Sequence, residues 1–318
     1  YTVAYGVLEL RQRISAHYAD WYGVEVDPAR IAVTTGSSAG FTMAFLAAFE
    51  AGDRVAMVSP GYPAYRNILT ALGVEPVLLL SGPEHRFQPT PELLEAIDGQ
   101  IDGLIVASPS NPTGTMLGQS EMAALTRYCQ EREIRMISDE IYHGIDYGAR
   151  AVTALSSDPN AVIINSFSKY FSMTGWRLGW MVVPEDLLRS VECLAQNFFI
   201  SAPTLSQVAA IAAFDSHKEL QANIVRYTRN REVLLQALPA AGLDDLAPAD
   251  GAFYVYANVA RITNDSTDFC RRLLADTGVA CTPCVDFDPD RGNAAVRFSF
   301  AGATEDMEEA CRRLAAWL

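Results

Sequence analysis

A lysine placed among serines is the strongest sign of chemistry in this sequence. Ser166, Ser168 and Lys169 begin a polar, glycine-containing stretch between two apolar runs, and Arg177 follows eight residues after the lysine. A lysine amine can attack a carbonyl group and form a Schiff base. The serine hydroxyls and the arginine guanidinium can bind one anion together. The stretch therefore predicts a Schiff base with a phosphorylated aldehyde.

The segments around this stretch alternate between strand-like and helix-like patterns, which predicts an α/β fold with a largely parallel sheet. Several of the strand-like runs are apolar throughout, as expected for strands that are covered on both faces by helices. The predicted strands are 30–35, 54–59, 74–80, 103–108, 134–138, 161–164 and 178–183. A predicted helix at 7–19 precedes the first strand, and the predicted helices between strands are 37–50, 91–97 and 120–132, with one more after the loop 60–63.

The pattern changes after residue 183. Longer helices are predicted at 185–197 and 203–238, followed by strands at 251–256 and 295–300 and helices at 267–276 and 305–317. This arrangement indicates a connecting helix and a smaller α+β domain. We place the division at residues 1–215 and 216–318.

Ligands of parallel sheets gather at the carboxyl ends of the strands, and several polar residues of this chain follow predicted strands. Gly36 and the next residues, Ser37, Ser38 and Ala39, form a strand-to-helix turn, where free amides and the helix dipole attract phosphate. A serine that only caps the helix would give the same pattern.

Two further strands end in polar residues. Asp139 ends an apolar run, with Tyr142 three residues later, and Asn111 lies in a loop that two prolines and a glycine stiffen. The simpler interpretations are a helix-capping aspartate and an ordinary Asn-Pro turn.

Arg297 interrupts an apolar strand, so its guanidinium needs an anionic partner. A substrate carboxylate gripped at two points would serve, and so would a structural salt bridge.

Together these segments resemble the class I and II aminotransferases, which are fold-type I enzymes dependent on pyridoxal 5′-phosphate (PLP). The resemblance rests on the lysine segment, on Asp139 with Tyr142, and on the Ser-Asn-Pro-Thr-Gly element at residues 110–114, and it spans the chain in order. It implies a seven-stranded, mostly parallel sheet and a smaller C-terminal α+β domain. It also implies a ping-pong exchange of an amino group between an amino acid and a 2-oxo acid.

The resemblance also implies a role for each candidate residue. Lys169 is expected to hold PLP as an internal aldimine, Asp139 to contact the pyridine nitrogen, and Tyr142 and Asn111 to contact the phenolic oxygen. Asn111 and Arg297 are expected to bind the substrate carboxylate, and Tyr62, rather than Tyr65, to stack on the ring. The expected phosphate ligands are Ser37, Ser38, Ala39, Ser166, Ser168 and Arg177.

Members of that family are expected to be homodimers with composite active sites. Tyr1 aligns with a tyrosine that reaches the phosphate of the partner subunit. The chain begins where the family has a preceding N-terminal segment, so we expect a partial copy.

Composition limits the other function classes. The formal net charge is −14 without a basic cluster, which argues against binding to nucleic acid or to an anionic membrane. No apolar run is long enough to cross a membrane and the chain start lacks a signal-peptide pattern, so we expect a cytoplasmic protein. Cys281 and Cys284 have a suggestive spacing, but without a second pair they do not predict a metal site.

Two alternatives remain open at this stage. A PLP-dependent carbon–sulfur β-lyase would use the same residues, because the fate of the substrate carbanion depends on orientation. An aminotransferase-like effector domain of a transcription regulator would bind PLP without turnover. That protein would need a DNA-binding region before Tyr1.

Overall fold

A computed structural model describes all residues from 1 to 318. The strands are β1 Ile31–Thr34, β2 Arg54–Ser59, β3 Glu75–Leu80, β4 Gly103–Ala107, β5 Arg135–Asp139, β6 Val162–Ser166, β7 Gly179–Val182, β8 Tyr254–Asn258, β9 Thr282–Pro283 and β10 Ala295–Ser299. The helices are α1 Leu8–Tyr22, α2 Ser37–Ala48, α3 Pro63–Ala71, α4 Pro91–Glu95, α5 Gln119–Glu131, α6 Leu188–Phe198, α7 Thr204–Ala213, α8 His217–Ala240, α9 Ser266–Thr277 and α10 Thr304–Trp317.

The first seven strands form one sheet in the order β1-β7-β6-β5-β4-β2-β3. β7 is antiparallel to both of its neighbours, and all other pairs are parallel, so the expected seven-stranded, mostly parallel sheet is confirmed. Residues 167–178 join β6 to β7 and contain one short 3-10 turn, at Thr174–Trp176, instead of the α-helix that usually makes a parallel crossover. The parallel arrangement brings the carboxyl ends of β4, β5 and β6 to one edge.

Both faces of this sheet are buried. Along β2, Ala56 and Val58 enter the core that includes residues of α1 and α5, whereas Val55 and Met57 enter the core that includes residues of α2 and α3. Successive side chains of a strand point to opposite faces. Helices on both faces therefore explain why these strands are apolar throughout.

The last three strands form a separate antiparallel sheet in the order β8-β10-β9. A third core lies between this sheet and the helices α8, α9 and α10, with Leu234, Phe269 and Phe298 among its buried members. The predicted strand at 251–256 begins later, at Tyr254, and the predicted helix at 267–276 is α9.

The single long helix predicted over 203–238 is wrong, because the chain forms two helices, α7 and α8, separated by residues 214–216. Phe214 is buried against the ring of Phe171, with 4.9 Å between the ring centroids. Asp215 pairs with Arg13 of α1. These tertiary contacts stabilise the interruption between the two helices, although no glycine or proline lies there. None of the helices has the length and hydropathy that a membrane-spanning segment requires.

Candidate functional site

A cavity of about 320 Å³ lies at the carboxyl edge of the large sheet and gathers most of the predicted site residues. β10 of the small sheet also contributes a side chain to it. The predicted residues that line the cavity are Ser37, Ser38, Tyr62, Asn111, Asp139, Tyr142, Ser168, Lys169, Arg177 and Arg297. The sequence analysis did not assign Phe41, Tyr65, Thr174 and Tyr254, which line it as well.

Lys169 follows β6 and extends its amine over two aromatic rings. Its Nζ lies 5.6 Å from the centroid of Tyr142 and 5.8 Å from that of Phe253. Burial lowers the pKa of Lys169, and the nearby Asp139 carboxylate opposes that shift. A lowered pKa increases the neutral fraction of the amine, which is the form that attacks a carbonyl carbon.

Asp139 is the last residue of β5 and is buried at the floor of the cavity. Burial raises the pKa of its carboxyl to about 6, although hydrogen bonds from the Tyr65 hydroxyl and the Ile141 amide favour the ionised form. Both of these donors are neutral. The carboxyl therefore suits a ligand that presents a cationic N–H group.

Tyr65, which the sequence analysis set aside in favour of Tyr62, is buried and packs against Phe41. Its hydroxyl nevertheless donates a hydrogen bond to Asp139 Oδ2, so the ring belongs to the core and the hydroxyl to the site. A buried tyrosine hydroxyl usually has a hydrogen-bond partner, and that rule was the available signal.

Tyr142 also has a partner that the sequence analysis missed. Its hydroxyl shares a hydrogen bond of 2.9 Å with the hydroxyl of Tyr254 in β8. Burial raises the pKa of Tyr142 well above its usual value, so this hydroxyl keeps its proton and can donate it to a ligand oxygen.

Arg297 projects from β10 and reaches Asn111, to which Nη1 donates a 2.6 Å hydrogen bond at Oδ1. Its guanidinium carbon lies 4.2 Å from the ring centroid of Tyr254 and 4.8 Å from that of Phe287. The hydrogen-bond partners of the Arg297 guanidinium are Asn111 and Thr282, neither of which is an Asp or Glu, so the structural salt bridge considered above is absent. A guanidinium fixed between two rings without a carboxylate partner is suited to binding an anion.

The opposite side of the cavity has the features of a phosphate site. Gly36 has a φ of +89° just before α2, and a Cβ there would lie 2.7 Å from Arg177 Nη2. The glycine therefore lets the guanidinium approach the first turn of the helix. Ser37 and Ser38 begin that turn, where the backbone amides lack helical partners. Three favourable elements, the free amides, the helix dipole and a cation, thus converge at one point.

The predicted residues Ser166, Ala39 and Tyr1 do not line the cavity. Ser166 is buried, and its Oγ accepts a 3.0 Å hydrogen bond from the amide of Ser168. Ala39 is buried within α2, and Tyr1 is fully exposed at the chain start. Tyr62 lines the cavity and lies edge-on to Tyr65, with 5.4 Å between the ring centroids.

The cysteine spacing does not produce a metal centre. Cys281 Sγ lies 3.3 Å from Cys270 Sγ, and Cys284 is fully buried. No group of three or more His, Cys, Asp or Glu side chains in the chain is arranged to hold a metal ion.

Comparison with known proteins agrees with this geometry. The family model for aminotransferases of class I and II matches residues 1–314. The valine–pyruvate aminotransferase of Mycobacterium tuberculosis is 53% identical, over 100% of this chain and 83% of that protein.

Solved structures show the same relationship. The crystal structure of an aminotransferase from Mycobacterium tuberculosis matches with a TM-score of 0.98 and 53% identity, over 100% of this chain and 83% of that one. The Thermus thermophilus aspartate aminotransferase with maleate matches with a TM-score of 0.93 and 30% identity, over 100% of this chain and 84% of that one. The fold is thus of the aspartate aminotransferase type, and the chain belongs to the class I and II aminotransferase family.

Proposed function

We propose that this aminotransferase binds PLP through Lys169 and transfers an amino group between an apolar amino acid and a 2-oxo acid by a ping-pong mechanism. One observation carries the proposal. A half-buried amine shares a single cavity with a phosphate-type site, a buried carboxyl and an arginine that has no carboxylate partner. Each of these groups corresponds to one part of the cofactor or of an amino acid.

The chemistry of the residues that line the cavity also fits PLP. Asp139 is buried with neutral hydrogen-bond donors only, which suits a pyridinium N–H, and the Gly36 turn leaves space for Arg177 beside the helix amides. Bound PLP would supply an aldehyde that takes up the amino group and a ring that delocalises electrons released at the substrate Cα.

The protein side chains would bind and orient the reactants. The phosphate would be bound by Ser37, Ser38 and Arg177, with Ser168 beside them. Ala39 and Ser166, which do not line the cavity, complete the proposed set of phosphate residues. Asp139 keeps a proton on the pyridine nitrogen, while Tyr142 and Asn111 donate to the phenolic oxygen and Tyr62 covers the ring.

The substrate is held and deprotonated by a smaller group. Arg297 and Asn111 bind the α-carboxylate, which directs the Cα–H bond toward Lys169. The free Lys169 amine would remove that proton and return it to the former aldehyde carbon of the cofactor. The lowered pKa of Lys169 favours this role, because the base must be neutral.

The cations of the cavity favour an apolar amino donor. Lys169, Arg177 and Arg297 are the cationic residues that line it, and each already has a proposed role. This chain therefore offers no fourth cation for a side-chain carboxylate. The name of the 53% identical relative points the same way, toward valine as donor and pyruvate as acceptor. Tyr62 lines the cavity and can contact an apolar side chain of the substrate, whereas Tyr5, Phe198 and Phe199 do not line it.

We also propose a homodimer with composite sites, in which Tyr1 contacts the phosphate of the partner subunit. The exposed side chains of Tyr1, Phe198, Ile200, Leu205 and Val208 support this assembly, because large exposed apolar side chains favour association. We further propose a large domain of residues 1–215 and a small domain of residues 216–318. The break between α7 and α8 at residues 214–216 supports that division.

The test is a set of half-reactions in which the PLP-loaded protein is mixed with single amino acids and the loss of cofactor absorbance is followed. Valine and other apolar amino acids are expected to react faster than aspartate and glutamate, and turnover is expected to require a 2-oxo acid acceptor. A preference for acidic donors would overturn the substrate assignment. Release of pyruvate and ammonia without an acceptor would overturn transamination in favour of a lyase.

A further inference from the structure

Arg297 and Lys169 enter the cavity from different sheets, so their separation depends on the contacts between those sheets. Arg297 lies in β10 of the small sheet, and Lys169 follows β6 of the large one. The segment of residues 284–294, which joins β9 to β10, contacts the large sheet on the side of Arg297. We call it the bridging segment.

Arg291 of the bridging segment makes the most extensive of these contacts. Its Nη2 donates to the carbonyl oxygens of Ser59, at 2.6 Å, and Ser81, at 3.1 Å. Ser59 ends β2, and Ser81 follows the end of β3. One guanidinium nitrogen therefore joins the bridging segment to the edge of the large sheet near the cavity.

Asp288 fixes the direction of that guanidinium. Its carboxylate is fully buried and accepts a 2.7 Å hydrogen bond from Arg291 Nε at Oδ2. Its Oδ1 accepts from the amides of Asp290 and Arg291 at 3.2 and 3.1 Å. A buried carboxylate costs free energy unless it is paired and hydrogen-bonded, and this one meets both conditions. Arg291 is thus held in place although 43% of its side chain is exposed.

The bridging segment also contacts two parts of the cavity lining, Arg297 and the loop that carries Tyr62. The ring of Phe287 lies 4.8 Å from the guanidinium of Arg297. The carbonyl of Phe287 accepts a 2.9 Å hydrogen bond from the amide of Gly61, which precedes Tyr62. A shift of this segment would therefore move the Phe287 ring, and with it the guanidinium of Arg297, relative to the loop that carries Tyr62.

We propose that Arg291 is a positioning residue that sets the affinity for the substrate carboxylate by fixing Arg297 relative to Tyr62 and Lys169. Arg291 does not line the cavity, so it acts through Phe287 and Arg297 without touching the substrate. The inference rests on the proposed role of Arg297 as the carboxylate ligand.

The test compares Arg291→Gln with the parent enzyme, both loaded with PLP. Three quantities are measured: the KM for valine, the Kd of 3-methylbutanoate (a carboxylate without an amino group) and the Kd of PLP. Both carboxylate constants are expected to rise on the order of tenfold, because small misplacements of a binding group have large effects. The Kd of PLP and its absorbance are expected to stay unchanged. Arg291→Lys keeps a cationic donor at one nitrogen and is expected to give a smaller rise.

Arg66→Gln is the matched control. Arg66 of α3 also donates to the bridging segment, at the carbonyl of Asp286 and at 3.3 Å, but on the exposed surface. Its replacement is expected to leave the carboxylate constants unchanged. Equal rises in both variants would indicate general loosening of the segment and would overturn the role of Arg291. A parallel loss of PLP affinity in Arg291→Gln would also overturn it.

Arg297→Lys separates the failure of this inference from failure of the proposed function. If Arg297→Lys raises the carboxylate constants and Arg291→Gln does not, only the positioning role is wrong. If Arg297→Lys leaves them unchanged, the carboxylate assignment of Arg297 is wrong and the positioning role falls with it. Should Arg291→Gln fail to fold, Arg291→Lys decides the question, and unchanged constants in that folded variant would overturn the inference.

Discussion

Arg297 Nη1 donates a 2.6 Å hydrogen bond to Asn111 Oδ1, which joins β10 of the small sheet to the loop after β4 of the large sheet. The pair places a guanidinium and an amide at one point of the cavity. Both groups can bind a single carboxylate, and the aromatic rings on either side of Arg297 limit its movement.

Arg297→Lys is expected to weaken substrate binding selectively. Lysine lacks the forked geometry that binds both carboxylate oxygens, so the KM for valine should rise on the order of 100-fold. Steady-state kinetics check this, with the absorbance of bound PLP as the control for an intact cofactor site. An unchanged KM would remove Arg297 from the substrate site.

Tyr65→Phe is expected to raise the pKa of Asp139, because it removes a hydrogen bond that favours the ionised carboxylate. The acidic limb of the activity, below which this carboxylate is protonated, should then shift to higher pH. The kcat should also drop on the order of tenfold. The pH profile of kcat measures both effects. Tyr128→Phe in α5, far from the cavity, is the matched control. Coincident acidic limbs for the Tyr65 variant and the parent would exclude this role.

Arg177→Ala is expected to weaken PLP binding on the order of 100-fold while changing the spectrum of the bound cofactor little, because the guanidinium binds the phosphate and not the ring. Gly36→Ala should also weaken binding, since its Cβ would meet Arg177 Nη2 at 2.7 Å in a backbone conformation that favours glycine. Fluorescence titration with PLP measures the Kd. Gly175→Ala is the control, because a Cβ there meets nothing within 4 Å. Unaltered PLP affinity in Arg177→Ala would exclude the phosphate site.

Glu140 predicts a pH dependence of stability that is independent of catalysis. It is fully buried, and burial raises its pKa from 4.5 to about 8. The folded state thus binds the proton more tightly than the unfolded state, so this contribution is complete below pH 4.5 and is lost as the pH rises through 8.

Glu140→Gln should therefore be more stable than the parent at pH 9, on the order of 3 kcal/mol in the free energy of unfolding, and similar to it at pH 5. Urea denaturation of the PLP-free protein at both pH values measures the difference. Glu50→Gln, at an exposed position two residues after the end of α2, is the control. If Glu140→Gln lost stability equally at the two pH values, Glu140 would not be a buried carboxyl that is neutral in the folded protein.

Much of the site could be predicted from the sequence because its residues follow strands. Asp139, Asn111 and Lys169 each lie just beyond or at the end of an apolar run, and parallel strands bring such ends together. Tyr65 and Tyr254 could not be assigned, because their roles depend on hydroxyl contacts with residues 74 and 112 positions away. Local patterns carry no information on pairs so distant in the chain.

The helices and strands could also be predicted from local patterns. The prediction was wrong where tertiary contacts determine the end of a helix. Strand β2 was predicted with the bounds that the structure has, because charge and proline mark its ends. The break between α7 and α8 was missed, because Phe214 and Asp215 are compatible with a helix and leave it through contacts with other helices. Helical periodicity continues across such a break.

Binding of the cofactor by Lys169 can be measured directly, because the only other lysine of this chain is Lys218, exposed on α8. Borohydride reduction of the PLP-loaded protein, followed by peptide mass spectrometry, should place one phosphopyridoxyl group on the peptide of Lys169. Lys169→Ala should lose this label, the visible absorbance and turnover, while Lys218→Ala keeps all three. A label on Lys218, or turnover in folded Lys169→Ala, would exclude Lys169 as the lysine that binds the cofactor.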